Sequence, residues 1–351
     1  MKIKPGLLQV INNKAEINDF VTNSWRPYGF IENEYGLLIP VDDRGAPLVT
    51  NESDLRANAF LSREEWQSLD NVVYGMAKQK LNAWADLVAA GLTRPSDVAT
   101  WYTKWGVSSE QIGANVTMEF ETFLSHDRTD RKWYGVPLPI VSRFYSIGRR
   151  ELASLRRAGQ AIESTEAMEA TGAVVEKLED ILLNGSTDVT IEGGTIPGYT
   201  TLTGRETGAA AAYGGGDFGT ISNIHPTFRG LLSALALTRF RGPFVCYLAP
   251  TQYWEMQAVY TDGSGQTALQ RVLQIPEIQA IKENDLVTAG EMIATQMSRD
   301  VVDLEIAISI ENRQWESPDA SRMYFVVLAA AVPRCKVNYA GDAGIGHVTG
   351  I

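Results

Sequence analysis

The spacing of apolar residues changes period several times along this chain, and each change marks an element. Trp66, Leu69, Val73, Ala77, Leu81, Trp84 and Val88 recur at three- and four-residue steps, the period of a helix with one apolar face. Ser62 and Glu65 form a capping box in SREE, and Leu61 and Trp66 occupy the staple positions on either side. Gly91 and the nearby Pro95 stop the pattern, which gives a helix of about 30 residues, roughly 45 Å long. Gly75 inside it marks a bend or a close crossing, at a cost of ~1 kcal/mol relative to alanine.

After an aromatic segment, WYTKW, the period shortens to two: Val116, Met118 and Phe120 alternate with Thr117, Glu119 and Glu121, as in a half-exposed strand. The almost wholly charged run HDRTDRK (126–132) follows, then a β-like segment through Trp133, Val136, Leu138, Ile140 and Phe144. The pattern predicts a long β-hairpin with a charged tip. A two-stranded ribbon is marginal alone in water, so it needs another surface to lie on.

The helical period returns near 164–183, with Ala167, Ala170, Val174, Leu178, Ile181 and Leu182 on one stripe and Glu169, Glu176, Lys177 and Asp180 largely opposite, up to a stop at Asn184-Gly185. Helix and strand then alternate: a Gly-rich loop YGGGDFG (213–219), a helix from about Pro226 to Arg239, a buried-looking strand Phe244–Ala249, a helix near Thr251 and a helix LQRVL. The last hundred residues read mostly as strand. Leu304, Ile306, Ile308 and Ile310 alternate with Glu305, Ala307, Ser309 and Glu311, Met323–Val332 reads as fully buried, and the glycine-rich tail GDAGIGHVTGI as irregular. Residues 1–60 carry short apolar pieces broken by Pro5, Pro27, Pro40, Gly45 and Pro47. They read as an extended arm that finds its burial on a neighbouring subunit, or as a strand pair packed on its own.

Composition narrows the function. At 44% hydrophobic residues the chain can bury one large or two modest cores. No run approaches the roughly 18 to 20 apolar residues of a membrane helix, and the first residues lack a signal peptide's pattern, so the expectation is no membrane and a cytosolic site of synthesis. A net charge of −11 argues against a protein that grips nucleic acid by neutralising phosphates, and it helps a self-assembling subunit stay soluble.

Reactive chemistry is sparse. Cys246 and Cys335 sit in apolar β-like runs, as small buried hydrophobes do. His126, His225 and His347 have no metal-ligand spacing and read as loop or surface residues. YGGGDFG lacks the Lys-Ser/Thr of a phosphate-binding loop and reads as a flexible surface loop. The acid pairs Glu64-Glu65 and Glu179-Asp180 fall on solvated helix faces, and the sequons at Asn51, Asn115 and Asn184 mean little without an export signal. The expectation is no enzyme, no cofactor and no metal.

Three segments carry a family resemblance. LSREEWQSLDNVV (61–73), PLPIVSRFYSIGRRELASLRRAGQAIESTEAMEATGAVVEKLEDILLNG (137–185) and RGPFVCYLAPTQYWEM (241–256) followed by LQRVLQIPEIQAI resemble, in that order, the N-terminal helix, the strand and spine helix, and the central strand and axial tip of the encapsulin branch of the tailed-phage capsid fold, the Hong Kong 97 type. The resemblance spans roughly 61 to 335, and its strength is the order of the segments.

That resemblance implies an α+β chain divided into an N-terminal arm (1–60), an N-terminal helix region (61–99), an extended β-hairpin (100–147), a peripheral domain with the spine helix (148–225), an axial domain (226–300), and return strands with a C-terminal tail (301–351). It implies a major capsid protein of a tailed phage, assembling as hexamers and pentamers of an icosahedral head, made in the host cytoplasm and residing in the virion. Packaged DNA is enclosed without sequence-specific binding, and decoration, scaffold and portal proteins are further partners. The alternative is an encapsulin-type nanocompartment shell around a cargo enzyme. On this mapping Asp127, Arg128, Asp130 and Arg131 are candidates for intersubunit salt bridges. Some relatives crosslink a hairpin lysine to an asparagine, and Lys132 and Asn338 are available. The 60-residue extension is longer than the encapsulin pattern, which favours a virion protein.

Overall fold

The structure, a computed structural model, describes residues 29–32, 38–41, 82–110, 129–148, 150, 165–261, 265–316 and 322–351. In chain order the strands are β1 (Gly29–Glu32), β2 (Leu38–Val41), β3 (Thr93–Pro95), β4 (Tyr102–Ser108), β5 (Arg131–Pro137), β6 (Ile140–Gly148), β7 (Ser186–Ile191), β8 (Gly194–Ile196), β9 (Glu206–Ala209), β10 (Phe244–Leu248), β11 (Ile278–Glu283), β12 (Glu291–Gln296), β13 (Val302–Glu316), β14 (Arg322–Cys335) and β15 (Ile345–Thr349). The helices are α1 (Ala83–Ala89), α2 (Thr165–Asn184), α3 (Ile221–Leu237), α4 (Pro250–Glu255) and α5 (Ala268–Val272). The chain divides into two units, one containing Ile140–Glu176 and Ile308–Ala330, the other Leu81–Pro139, Lys177–Ala307 and Ala331–Ile351.

In the second unit a five-stranded sheet runs in the order β11-β10-β12-β15-β9. All five residues of β10, FVCYL, are buried, which explains its unbroken apolar run. Phe228, Leu231 and Leu235 of α3 join Phe244, Cys246, Met292, Ala294 and Val348 of the sheet in one core with Phe218 and Met256. In the first unit β6 pairs antiparallel with β14, and the opposed residues Tyr145 and Phe325 stack with ring centroids 4.9 Å apart. The tyrosine hydroxyl accepts from Asn312 Nδ2 at 2.8 Å. β1 and β2 form an antiparallel pair. Among the described residues no helix is long and apolar enough to cross a membrane.

The long helix has the expected place and stripe: Ala167, Ala170, Val174, Leu178, Ile181 and Leu182 are all buried. Gly185 beyond it has φ +77°, and a Cβ there would stand 2.4 Å from the Ile196 carbonyl oxygen. Both cysteines are buried and free. The capping box at Ser62 and Glu65, the helix up to Leu81, the strand at 116–121, His126 and most of the charged tip lie outside the described residues.

Several expectations are corrected. Trp133–Phe144 is two strands in two different sheets, separated at Pro137-Leu138-Pro139, because β5 pairs with β4 while β6 pairs with β14. The partner of β5 is the aromatic segment WYTKW, so Arg131 and Lys132 belong to a strand rather than to the turn. Helix α3 starts at Ile221, ahead of Pro226, and the added turn buries Ile224. On α1 the buried residues are Ala83, Trp84 and Leu87, whereas Val88 is exposed. The loop 213–219 is held in place: Phe218 is buried, and a Cβ on Gly215 would come within 1.8 Å of Thr227 Oγ1. The glycine-rich tail is not irregular, since Ile345–Thr349 lies between β12 and β9 in the sheet. Its glycine signals close packing, because a Cβ on Gly346 would meet Leu231 at 2.7 Å. His347 is therefore a buried strand residue, with Nε2 3.1 Å from Glu291 Oε2.

Candidate functional site

The β4–β5 ribbon contributes no residue to the core that α3 and the five-stranded sheet share in the second unit. Its register sets Thr103 opposite Val136, Trp105 opposite Tyr134 and Val107 opposite Lys132, and the twofold strand period puts these six residues on one face. That face turns inward: Thr103 and Val136 are buried, and Trp105 and Tyr134 stack at 6.4 Å. The other face carries Tyr102, Lys104, Arg131 and Trp133. Here the two ribbon glycines have a use. The Trp133 ring lies over Gly106, and the Tyr102 ring lies so close to Gly135 that a Cβ there would be 2.3 Å from Tyr102 Cε1. The result is a flattened aromatic outer surface on which Trp133 remains 66% exposed.

The ribbon's root is fixed by buried charge. Thr103 Oγ1 donates to Glu305 Oε2 at 2.6 Å, and Arg334 Nη1 lies 3.0 Å from the same oxygen. Arg334, 2% exposed, also grips Asp303 through Nε and Nη2, and Lys336 Nζ reaches Asp303 Oδ2 at 2.9 Å. Two carboxylates thus meet two cations, the condition under which buried charge is tolerated. Glu305 and Glu311 correct the alternation read for β13: both are buried, and Glu311 accepts from Arg313 Nε at 2.6 Å.

Away from the root the ribbon stands off the body over two clefts. One, of roughly 450 Å3, lies between Trp105, Tyr134 and Val136 and the segments around Ser186, Pro197 and Thr201, with Cys335 and Val337 also in its wall. The other, of roughly 580 Å3, lies under Val107–Glu110 against Leu237–Arg239 and Asn338–Ala340. Exposed cation contacts hold the ribbon: Lys104 to Glu192 at 2.8 Å, Arg239 to Glu110 at 2.8 Å, and Lys132 Nζ donating to the Tyr339 carbonyl at 2.9 Å while lying over the Tyr339 ring. The hydrogen bond and charge of Glu192 hold the Lys104 ammonium above its usual value.

Of the residues singled out from the sequence for contacts, Asp127 and Arg128 lie outside the described residues. Asp130 and Arg131 are exposed at the ribbon's far end, where Asp130 N donates to Ser109 Oγ at 3.0 Å and Arg131 pairs with Ser108. Asn338, the other member of the lysine–asparagine pair, is engaged locally: its Oδ1 accepts from Asp342 N at 2.8 Å.

Glu179, on a helix face expected to be solvated, is 1% exposed. It accepts from the backbone N–H of Ala83 and of Trp84 and from Asn284 Nδ2, at 2.7, 3.1 and 2.8 Å. Burial raises its carboxyl above the usual range, with these donors pulling the other way. The signal was available: Thr171, Val175 and Glu179 follow one another at four-residue steps beside the apolar stripe, and all are buried. For Arg334, the signal was its place at the end of an apolar strand. Burial pushes the thiols of Cys246 and Cys335 up to about 12. Among the described residues no three His, Cys, Asp or Glu side chains are grouped to hold a metal ion.

Solved structures give the fold. The chain is similar to the virus-like particle from Pyrococcus furiosus (TM-score 0.58, 14% identity, 82% of this chain and 98% of that one). It is also similar to the capsid of Myoviridae phage XM1 (0.56, 12%, 75% and 91%) and to the capsid of an empty GTA particle (0.54, 12%, 77% and 90%). The fold is the Hong Kong 97 capsid fold, α+β as expected. No curated protein matches the sequence. A family model described as a family of unknown function, DUF6260, matches residues 56–348, and the chain belongs to that family.

Proposed function

We propose that this chain is the major capsid protein of a tailed phage, self-assembling into hexamers and pentamers of an icosahedral head that encloses DNA. The observation that carries this reading is the extent of the likeness: the chain spans 98%, 91% and 90% of three chains whose structures are a virus-like particle and two capsids. A ribbon that leaves the Trp133 ring 66% exposed, standing over clefts on its own subunit, is what a shell subunit needs in order to bury surface on a neighbour.

The role is structural, not enzymatic. The thiols are pushed up by burial, and the charge cluster at Arg334 is closed on itself. A net charge of −11 fits DNA that is enclosed without being gripped. In this reading Asp127, Arg128, Asp130 and Arg131 contact a neighbouring subunit at the ribbon's tip. Residues 1–60 are the arm, 61–99 the N-terminal helix region, 100–147 the hairpin with most of strand β6 after it, 148–225 the peripheral domain, 226–300 the axial domain, and 301–351 the return strands and tail. Scaffold, decoration and portal proteins are its partners, and it passes from the host cytoplasm into the virion. The likeness to the Pyrococcus furiosus particle favours a second reading, a nanocompartment shell of the same fold around a cargo enzyme.

The test is expression of the full chain, followed by size-exclusion chromatography and negative-stain electron microscopy over a range of concentration and salt. Closed shells or capsomer-sized rings are expected, and uniform small shells free of nucleic acid favour the second reading. A compact monomer throughout, even with the neighbouring gene products co-expressed, would sink both.

A further inference from the structure

Two residues other than glycine have positive φ among the described residues: Glu192 at 54° and Arg239 at 69°. Each sits where the backbone by itself calls for Gly or Asn. Glu192 and Gly193, the latter at φ 77°, form the two-residue turn between the paired residues Ile191 and Gly194. Positive φ at both positions is the primed turn that Asn-Gly fits best. Arg239 follows the C-cap Thr238 of α3, with Arg239 N bonded to Ala236 O and Phe240 N to Leu235 O. That is the Schellman ending, whose left-handed position is usually glycine.

Both residues send their charge to one segment. Glu192 Oε2 pairs with Lys104 Nζ in the middle of β4, and Arg239 Nη1 reaches both carboxylate oxygens of Glu110 just beyond its end, at 2.9 and 2.8 Å. We infer that Glu192 and Arg239 are positioning residues, kept in strained turns in order to clamp the ribbon at its middle and its tip against its own subunit. A sequence that breaks a local backbone rule at two separate turns, with a charged side chain reaching the same strand each time, has a use for the side chains that the turns do not supply. The clefts beneath the ribbon give it room to move when the clamps open. All four partner side chains are more than half exposed, at 53% and 61% for Lys104 and Glu192 and 76% and 74% for Arg239 and Glu110. Such pairs are weak and open readily. The clamp therefore fixes where the ribbon waits before assembly, a role that rests on the shell reading above, while still letting it go to a neighbour.

The test uses the full chain carrying Glu192→Asn and Arg239→Gly together, both suited to positive φ. In the unassembled subunit at low concentration, amide exchange of Tyr102–Ser108 and Arg131–Pro137 should quicken on the order of ten-fold, since two exposed pairs are lost. The melting temperature should hold or rise because the turns are relieved, and the yield of regular shells should fall. Exchanging the charges, Lys104→Glu with Glu192→Lys, should restore ribbon protection near β7–β8. Unchanged ribbon exchange would overturn the inference, as would a lower melting temperature with faster exchange throughout the molecule. If the unmodified chain forms no shells under any condition, the shell reading fails, and the exchange measurement still decides the clamp.

Discussion

Glu179, on the long helix α2, accepts the backbone N–H of Ala83 at 2.7 Å, so a carboxylate from one helix caps the first turn of another. The residue at the N-cap position, Asn82, makes no side-chain cap bond. Glu179 takes over that task for Ala83 and Trp84 and also satisfies the Asn284 amide. Glu179→Ala strands all three donors in a buried place, and the expected loss is about 2–4 kcal/mol in urea unfolding of the unassembled subunit.

The same carboxyl gives stability a pH dependence. Burial raises its folded-state value above that of the unfolded chain, so the folded state binds the proton more tightly than the unfolded state does. This contribution is fully present below the ordinary carboxylate value and is lost as pH rises through the raised one. Glu179→Gln cannot titrate. Measured from acid toward neutral pH, the stability of the native chain should fall relative to that of Glu179→Gln and then level off, and parallel curves would show that burial does not dominate at this site.

Arg334 closes a buried cluster with Asp303 and Glu305. Arg334→Met should cost roughly 3–5 kcal/mol, because it leaves a carboxylate buried without its partner. Adding Asp303→Leu, Glu305→Leu and Lys336→Met, which removes the second cation with the carboxylates, should recover much of that, because a well-packed apolar set replaces an ion cluster at little net cost. Whatever is not recovered measures what the bond from Thr103 to Glu305 adds at the ribbon root.

What the sequence made legible was local. The stripe of α2, the buried run of β10 and the glycine stop at Gly185 are each written in consecutive or helically spaced residues. What it hid depended on partners far along the chain. Glu305 looks solvated until Arg334 and Thr103 are brought beside it, and the glycines at 344 and 346 look like a loop until Leu231 is found against one of them. The ribbon was expected, but its pairing was placed too late in the chain. The alternation at 116–121 was the cleaner strand signal, whereas the residues that pair with β5 are an aromatic and glycine-interrupted stretch. The clamps at Glu192 and Arg239 left no mark in the sequence, because only φ reveals that those residues occupy glycine positions.

Gly230 lies inside α3, where alanine would ordinarily gain about 1 kcal/mol of helix propensity. Here a Cβ would stand 2.1 Å from the carbonyl oxygen of Tyr213, backbone that cannot step aside as a side chain does. Overpacking of about 1–3 kcal/mol should outweigh the propensity, so Gly230→Ala lowers the melting temperature. A rise would mean that the 210–216 segment shifts freely.

Trp133 offers the sharpest separation of folding from assembly. It is 66% exposed, and its ring rests on Gly106 of the same ribbon. Trp133→Ser therefore removes little from the subunit's own core, and its folding stability should change by no more than about 0.5 kcal/mol. A neighbour that covers the ring changes the sum. An aromatic side chain buries roughly 150–250 Å2, and covering half of a tryptophan at about 25 cal/mol per Å2 is worth ~2–3 kcal/mol for each subunit. That corresponds to a rise of roughly thirty- to a hundred-and-fifty-fold in the concentration needed for assembly, readable by light scattering against protein concentration. Equal assembly by Trp133→Ser and the native chain would place the ring outside the subunit interface. A large loss of folding stability would place it in the subunit's own core.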